Sequence, residues 1–157
     1  MAKISETIAL LEAAYEESED QRIEGQFAIA HTNMGRLRLS MGDYEGARES
    51  FTTVTGLLAE SQSETTPLLL TQAYLGAGLA HFKLGAAEDA VESFEAALGA
   101  AADNVHLRGQ AVVLLSQALW ALNGEDGRET VKAQLLQRYS VSTTACPRSI
   151  SAHVSTA

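Results

Sequence analysis

GRLRLSMGDYEGARESFTTV, residues 35–54, and GLAHFKLGAAEDAVESFEAA, residues 78–97, are one pattern written twice. A shift of 43 residues carries Gly35 onto Gly78, Gly42 onto Gly85, and Ala47 onto Ala90. It also carries Glu49-Ser50-Phe51 onto Glu92-Ser93-Phe94 and Val54 onto Ala97. Self-similarity at one period marks a repeat architecture, in which each unit buries its apolar face only by stacking on its neighbours.

The spacing within each copy reads as two antiparallel helices joined by a tight turn. Gly42 and Gly85 stand where the first helix must end in a left-handed residue, a conformation glycine reaches without a Cβ clash. Asp43 follows as N-cap of the next helix. Gly35 and Gly78 lie seven residues earlier, inside the first helix. Glycine there costs about 1 kcal/mol relative to alanine, which makes sense if a neighbouring helix crosses at that point. Ala47 and Ala90 then supply the small facing surface. Phe51 and Phe94, one turn further along the same face, fill the groove beside it.

Gly35, Gly42-Asp43-Tyr44, Ala47, Phe51 and Val54 resemble the tetratricopeptide signature, as do Tyr74, Gly78, Gly85, Ala90, Phe94 and Ala97. The copies run from about Ala28 to Ser61 and from about Thr71 to Asn104. The family unit is about 34 residues. The nine extra residues here are expected to lengthen the helices around the junction at Ser61–Thr66. That resembles the longer-helix variant of kinesin light chains and of bacterial regulators. The resemblance implies an all-α fold, a right-handed α-solenoid of antiparallel helix pairs with about seven helices. A degenerate third copy follows, its turn at Gly124-Glu125-Asp126 lying 39 residues after Gly85. Its small and aromatic positions become Glu129 and Ala133, as a terminal repeat with one wet face allows.

Apolar periodicity and breakers place helices over about 4–18, 21–41, 43–61, 66–84, 86–100, 103–122 and 125–139, with Asp103 capping the sixth and Pro67 in the first turn of the fourth. The organisation expected is a capping helix in 1–20 and three helix pairs over 21–62, 65–101 and 103–139. A tail over 140–157 holds eight Ser or Thr and is expected to be flexible.

The net charge is −9 and the pI about 4.8. Nucleic acid and anionic membranes are poor ligands for such a chain, because their phosphates call for Lys and Arg. A basic partner is favoured instead. The longest apolar stretch, Ala111–Leu122, is broken by Ser116 and Gln117 and too short to span a bilayer. No basic-then-apolar leader opens the chain. Cys146 is the single cysteine, so no intrachain disulfide forms, and the cytoplasm is the expected compartment.

Catalytic or metal chemistry finds no foothold in the pattern. His31, His81, His106 and His153 have no i, i+4 partner for a helical zinc site. Cys146 lacks a positioned base. Gly76 and Gly78 follow no strand, so they read as packing glycines rather than a phosphate loop. The acidic run Glu16-Glu17-Glu19-Asp20 reads as a solvated helix face. No enzyme activity, cofactor or metal is expected.

What remains is a groove, implied by the resemblance, in which the first helix of each pair lines a concave surface. Carried over by position, it comprises Ile29, Thr32, Asn33, Arg36, Leu39 and Ser40 from the first copy. The second copy gives Gln72, Leu75, Gly76, Leu79, Phe82 and Lys83. The third gives Ala111, Leu114, Leu115, Ala118 and Leu122. Family members that grip acidic chaperone tails use a clamp of Lys, Asn and Arg. Here the matching positions are Thr32, Arg36, Gly76, Ala111 and Leu115, so that partner class is excluded. The expected function is a scaffold or adaptor binding a peptide or amphipathic helix of another protein. Two alternatives stand beside it: a small chaperone of the bacterial type III secretion kind, and self-association into a homodimer through apolar end faces.

Overall fold

The computed structural model describes residues 2–18, 21–59, 61, 65–124, 129, 131–133 and 136. The expected seventh helix falls largely outside the described residues, and the expected tail over 140–157 wholly so. Six helices are described: α1 (Ala2–Ser18), α2 (Gln21–Met41), α3 (Tyr44–Leu57), α4 (Thr66–Lys83), α5 (Ala87–Ala100) and α6 (Val105–Asn123). No strand occurs among the described residues. Each helix packs on the next, except that the chain also brings α4 against α2 and α6 against α4. That is the connectivity of stacked helix pairs: α2 with α3, α4 with α5, and the first helices of successive pairs side by side.

The turns follow the glycine reading. Gly42 and Gly85 adopt φ of 81° and 83°. At the first turn Gly42 N–H donates to Leu39 O and Asp43 N–H reaches back to Arg38 O. At the second, Gly85 N–H donates to Phe82 O and Ala86 N–H to His81 O. These paired bonds satisfy carbonyls that the helix end would otherwise orphan. Asp43 caps α3 by accepting from Gly46 N–H at 3.0 Å. A Cβ on Gly46 would strike the Asp43 carboxylate, so a glycine at 46 leaves that carboxylate its place. The second copy has Ala86 in the capping position and no side-chain cap.

The mid-helix glycines face the phenylalanines directly. A Cβ on Gly35 would lie 2.8 Å from the Phe51 ring, and one on Gly78 would lie 2.5 Å from the Phe94 ring. Ala47 and Ala90, fully buried, belong to the same apolar clusters as Phe51 and Phe94 respectively. Phe51 also reaches Gly76 of the following repeat, whose Cβ would collide with the same ring. Phe51 thus sits between Gly35 and Gly76 and bolts the first pair to the second.

Two apolar clusters follow from this. One gathers Phe51, Val54 and Leu58 with Leu69, Ala73 and Ala77, and the other Phe94 and Ala97 with Leu107, Leu115 and Leu119. Helix α4 serves both, through Ala73 and Ala77 on one side and Leu75 on the other. A helix walled in on both sides is apolar nearly all round.

Three details differ from expectation. Helix α3 ends at Leu57, not near Ser61, because Leu58 turns into the core and the next bonds shorten to i−3. Helices α3 and α5 are both 14 residues long, so the extra length of the repeat lies in the connection and in the N-terminal part of α4. Asn104, not Asp103, caps α6: its side chain accepts from Leu107 N–H at 3.1 Å.

Candidate functional site: a trough across three helices

Helices α2, α4 and α6 lie side by side and leave an open trough on the face they share. Its first basin, about 680 Å³, has Arg36, Leu39 and Ser40 of α2 on one wall. Gln72, Leu75, Gly76 and Leu79 of α4 form its floor, with the Phe51 ring beneath. His106, Leu107 and Gln110 of α6 close the other side. A second basin of about 720 Å³ shares Leu75, Leu79, His106 and Gln110 and continues over Val105, Gly109, Val113 and Leu114. Leu75 and Leu79 make the middle of the floor apolar, with the polar Gln72 at one end of it and Arg36, Ser40, His106 and Gln110 on the side walls.

Local sequence explains why these side chains meet. Residues 72, 75, 76 and 79 are spaced i, i+3, i+4, i+7, which is one face of a helix. The glycine–phenylalanine contacts fix the neighbouring pairs at close range, so that face lies beside its counterpart on α2.

The groove positions expected from sequence divide into two groups. Arg36, Leu39, Gln72, Leu75, Leu79 and Leu114 come together along the trough. Asn33 and Lys83 are exposed on α2 and α4 outside both basins. Phe82 is half-buried against the second core cluster. Ala118, 0% exposed, is a core residue and cannot line a surface; Ala111 and Leu115 share that fate. Thr32 is likewise buried, its hydroxyl donating to Ala28 O at 2.8 Å.

The α6 register was misread by one residue. An offset of 39 carries Gln72 and Leu79 onto the buried Ala111 and Ala118. An offset of 38 carries Gln72 and Leu75 onto Gln110 and Val113, which do line the trough. One residue turns a helix face by about 100°. The reference for that offset, Gly124, has φ 63° and ψ −164°, and its N–H donates to Trp120 O. That bond runs to the i−4 carbonyl, whereas Gly42 and Gly85 donate to i−3 carbonyls, Leu39 O and Phe82 O. The apolar spacing of Leu107, Ala111 and Leu115 at i, i+4, i+8, all buried, is the sequence signal that sets the register and so points to His106 and Gln110.

The electrostatics of the trough differ from those of the whole chain. Arg36 is cationic, and among the described residues no carboxylate lines either basin. His106 Nε2 lies 3.0 Å from Gln110 Nε2, so the two rim groups share a hydrogen bond. The carboxylates Asp89, Glu92 and Glu49 line other clefts, formed where α3 and α5 meet α4. There His81 Nδ1 lies 3.7 Å from Asp89 Oδ2, an ion pair when the ring is protonated. His81 corresponds to Arg38 of the first copy, which donates to Gly46 O at 2.7 Å and to Ser50 Oγ at 3.1 Å. Each ties the first helix of a pair to the second.

At the other end of the stack, α1 packs on α2 through aromatic groups. Tyr15 stacks on Phe27 with ring centroids 6.4 Å apart, and His31 meets Phe27 edge-on at 4.6 Å. Burial pushes the His31 pKa below 6.5, opposed by the Glu12 carboxylate and reinforced by Arg38. Among the described residues no group of three His, Cys, Asp or Glu is placed to hold a metal ion. No described helix is long and apolar enough to cross a membrane.

A family model described as "Tetratricopeptide repeat" matches residues 28–57 and 71–104. Over 128 residues, 82% of this chain, the sequence is 32% identical to Superkiller protein 3 of Schizosaccharomyces pombe. Over 135 residues, 86% of this chain, it is 26% identical to Superkiller protein 3 of Saccharomyces cerevisiae. The chain spans 9% of the length of each of these relatives. No solved structure matches it significantly. Residues 28–57 and 71–104 are thus two tetratricopeptide repeats, each a helix pair with glycine set against phenylalanine, and repeats of this kind generally mediate contacts between proteins.

Proposed function

We propose that the chain is a scaffold or adaptor module that holds a segment of another protein in the trough of α2, α4 and α6. The observation that carries this reading is the trough's leucine floor, open to solvent and continuous across three helices. Ligand sites are typically concave and largely apolar, with a few convergent polar groups for orientation. Leu39, Leu75, Leu79 and Leu114 supply the apolar part, and Arg36, Gln72 and Gln110 can fix a backbone or a side chain. An amphipathic helix or an extended apolar segment fits such a surface. The wider activities of the longer relatives are not needed for this reading.

The test is affinity capture with Leu39→Ala/Leu79→Ala as the comparison. Both leucines are partly buried, so circular dichroism must first show the variant folded. Loss of bound partners from a folded variant supports the trough; undiminished capture removes it.

A second reading has its own observation. Val105, Val113 and Trp120 are 81%, 56% and 43% exposed and share one uncharged stripe of α6. Aromatic groups and missing charge are features of interface cores. Two copies could pair through this stripe. Sedimentation across a dilution series decides: a monomer at the highest concentration ends the dimer.

A further inference from the structure

The charge of this chain is sorted by helix. Helices α4 and α6 together contain no Asp or Glu, although the chain has 20 acidic residues. Helices α3 and α5, the second members of their pairs, carry Glu45, Glu49, Glu88, Asp89, Glu92 and Glu95. The trough wall contributed by α2 adds Arg36 and no carboxylate. A field summed over the whole molecule therefore misrepresents the trough. From a distance the chain attracts cations; within the trough a lysine or arginine finds no counter-charge among the described residues, and Arg36 repels it.

On the proposed reading of the trough as the binding site, we infer that its occupant is an apolar segment bearing a carboxylate, which pairs with Arg36 while apolar side chains cover Leu75, Leu79 and Val113. Three physical steps lead there. The leucine floor yields affinity only to apolar side chains, since a polar group placed on it would lose water without gaining a partner. Arg36 is exposed at the rim, where a carboxylate can meet its guanidinium in a two-pronged hydrogen bond. A basic segment brought to the same rim meets like charge, which is how a site rejects wrong partners. The acidic α3 and α5 faces add to the selection, because an anionic segment is kept off them and is accepted only where carboxylates are missing.

The probe is a displayed library of random twelve-residue peptides, selected on the full chain and counter-selected on Leu79→Glu, which circular dichroism must first show to be folded. Peptides kept by the chain and lost on the counter-selected variant should combine aliphatic or aromatic residues with Asp or Glu and be depleted in Lys and Arg. For a selected peptide, changing its acidic residue to the amide should weaken binding about tenfold, the scale of one charge-assisted hydrogen bond. Arg36→Glu should reverse the preference, favouring a Lys-substituted version. Selected peptides that are basic, or indifferent to Arg36→Glu, overturn the inference while leaving the trough as the site. If the leucine variant retains the same peptides as the parent chain, the trough itself is not the site and the inference falls with it.

Discussion

Phe51 shows how one side chain can couple two repeats. It is fully buried, with Gly35 on one side and Gly76 on the other, so its ring is a spacer whose thickness sets the distance between helices. Replacing it with alanine leaves a cavity that rigid helices cannot collapse, and should cost about 3–5 kcal/mol. The reciprocal change, Gly78→Ala, sets a Cβ 2.5 Å from the Phe94 ring. It gains helix propensity worth about 1 kcal/mol but should lose about 1–3 kcal/mol to overpacking, for a net loss. Urea unfolding of both variants checks the signs; a stabilised Gly78→Ala would show that the contact is loose. His31 makes a prediction in pH. Its folded pKa lies below the unfolded value of 6.5, so the unfolded chain takes up the proton first as pH falls. Stability contributed by the neutral ring is complete above pH 6.5 and is lost as pH drops through the lowered folded value. His31→Phe should flatten that part of the stability–pH curve, measured by thermal unfolding in steps from pH 7.5 to 5. An unchanged slope would place the titrating group elsewhere.

At the scale of elements, the turns are where chemistry and local structure match most closely. Gly42 and Gly85 hold positive φ, and an alanine at either should cost about 1–2 kcal/mol. Asp43→Ala removes a cap bond and should cost about 1 kcal/mol. The same change at Asp103, exposed and not a cap, should cost little; equal losses at 43 and 103 would contradict the capping assignment. These elements were legible because Gly42, Gly85, Ala47, Ala90, Phe51 and Phe94 recur in order at one offset, and each residue type has a single structural use there. The copies read from sequence, about 28–61 and 71–104, lie close to the matched residues 28–57 and 71–104. Of the α6 wall only Leu114 was legible. Gly124 looks like the two earlier turn glycines in a sequence but bonds to the i−4 carbonyl where they bond to i−3, and a helix face is lost when its register slips by one. Gly76 was read as a packing glycine, but its partner was hidden: its counterpart at the same offset is Asn33, and only stacking of two repeats brings Phe51 to it.

At the scale of the whole molecule, a stack of pairs puts its first helices on one face and its second helices on the other. The trough and the sorted charge are both consequences of that arrangement. Apolar periodicity marks residues that leave water, but it does not separate those buried against neighbouring helices from those waiting for a ligand. Leu75 and Ala118 illustrate the ambiguity: both were groove candidates, and only Leu75 borders the trough. The net charge is an average over 157 residues and does not reveal that, among the described residues, no carboxylate lines the trough. A photo-crosslinking amino acid placed at Gln72, inside the trough, and separately at Glu92, on the α5 face, tests the central claim most directly. Adducts mapped by mass spectrometry should join a partner's segment to position 72 and leave position 92 unlabelled. Adducts at 92 with none at 72 would contradict the account.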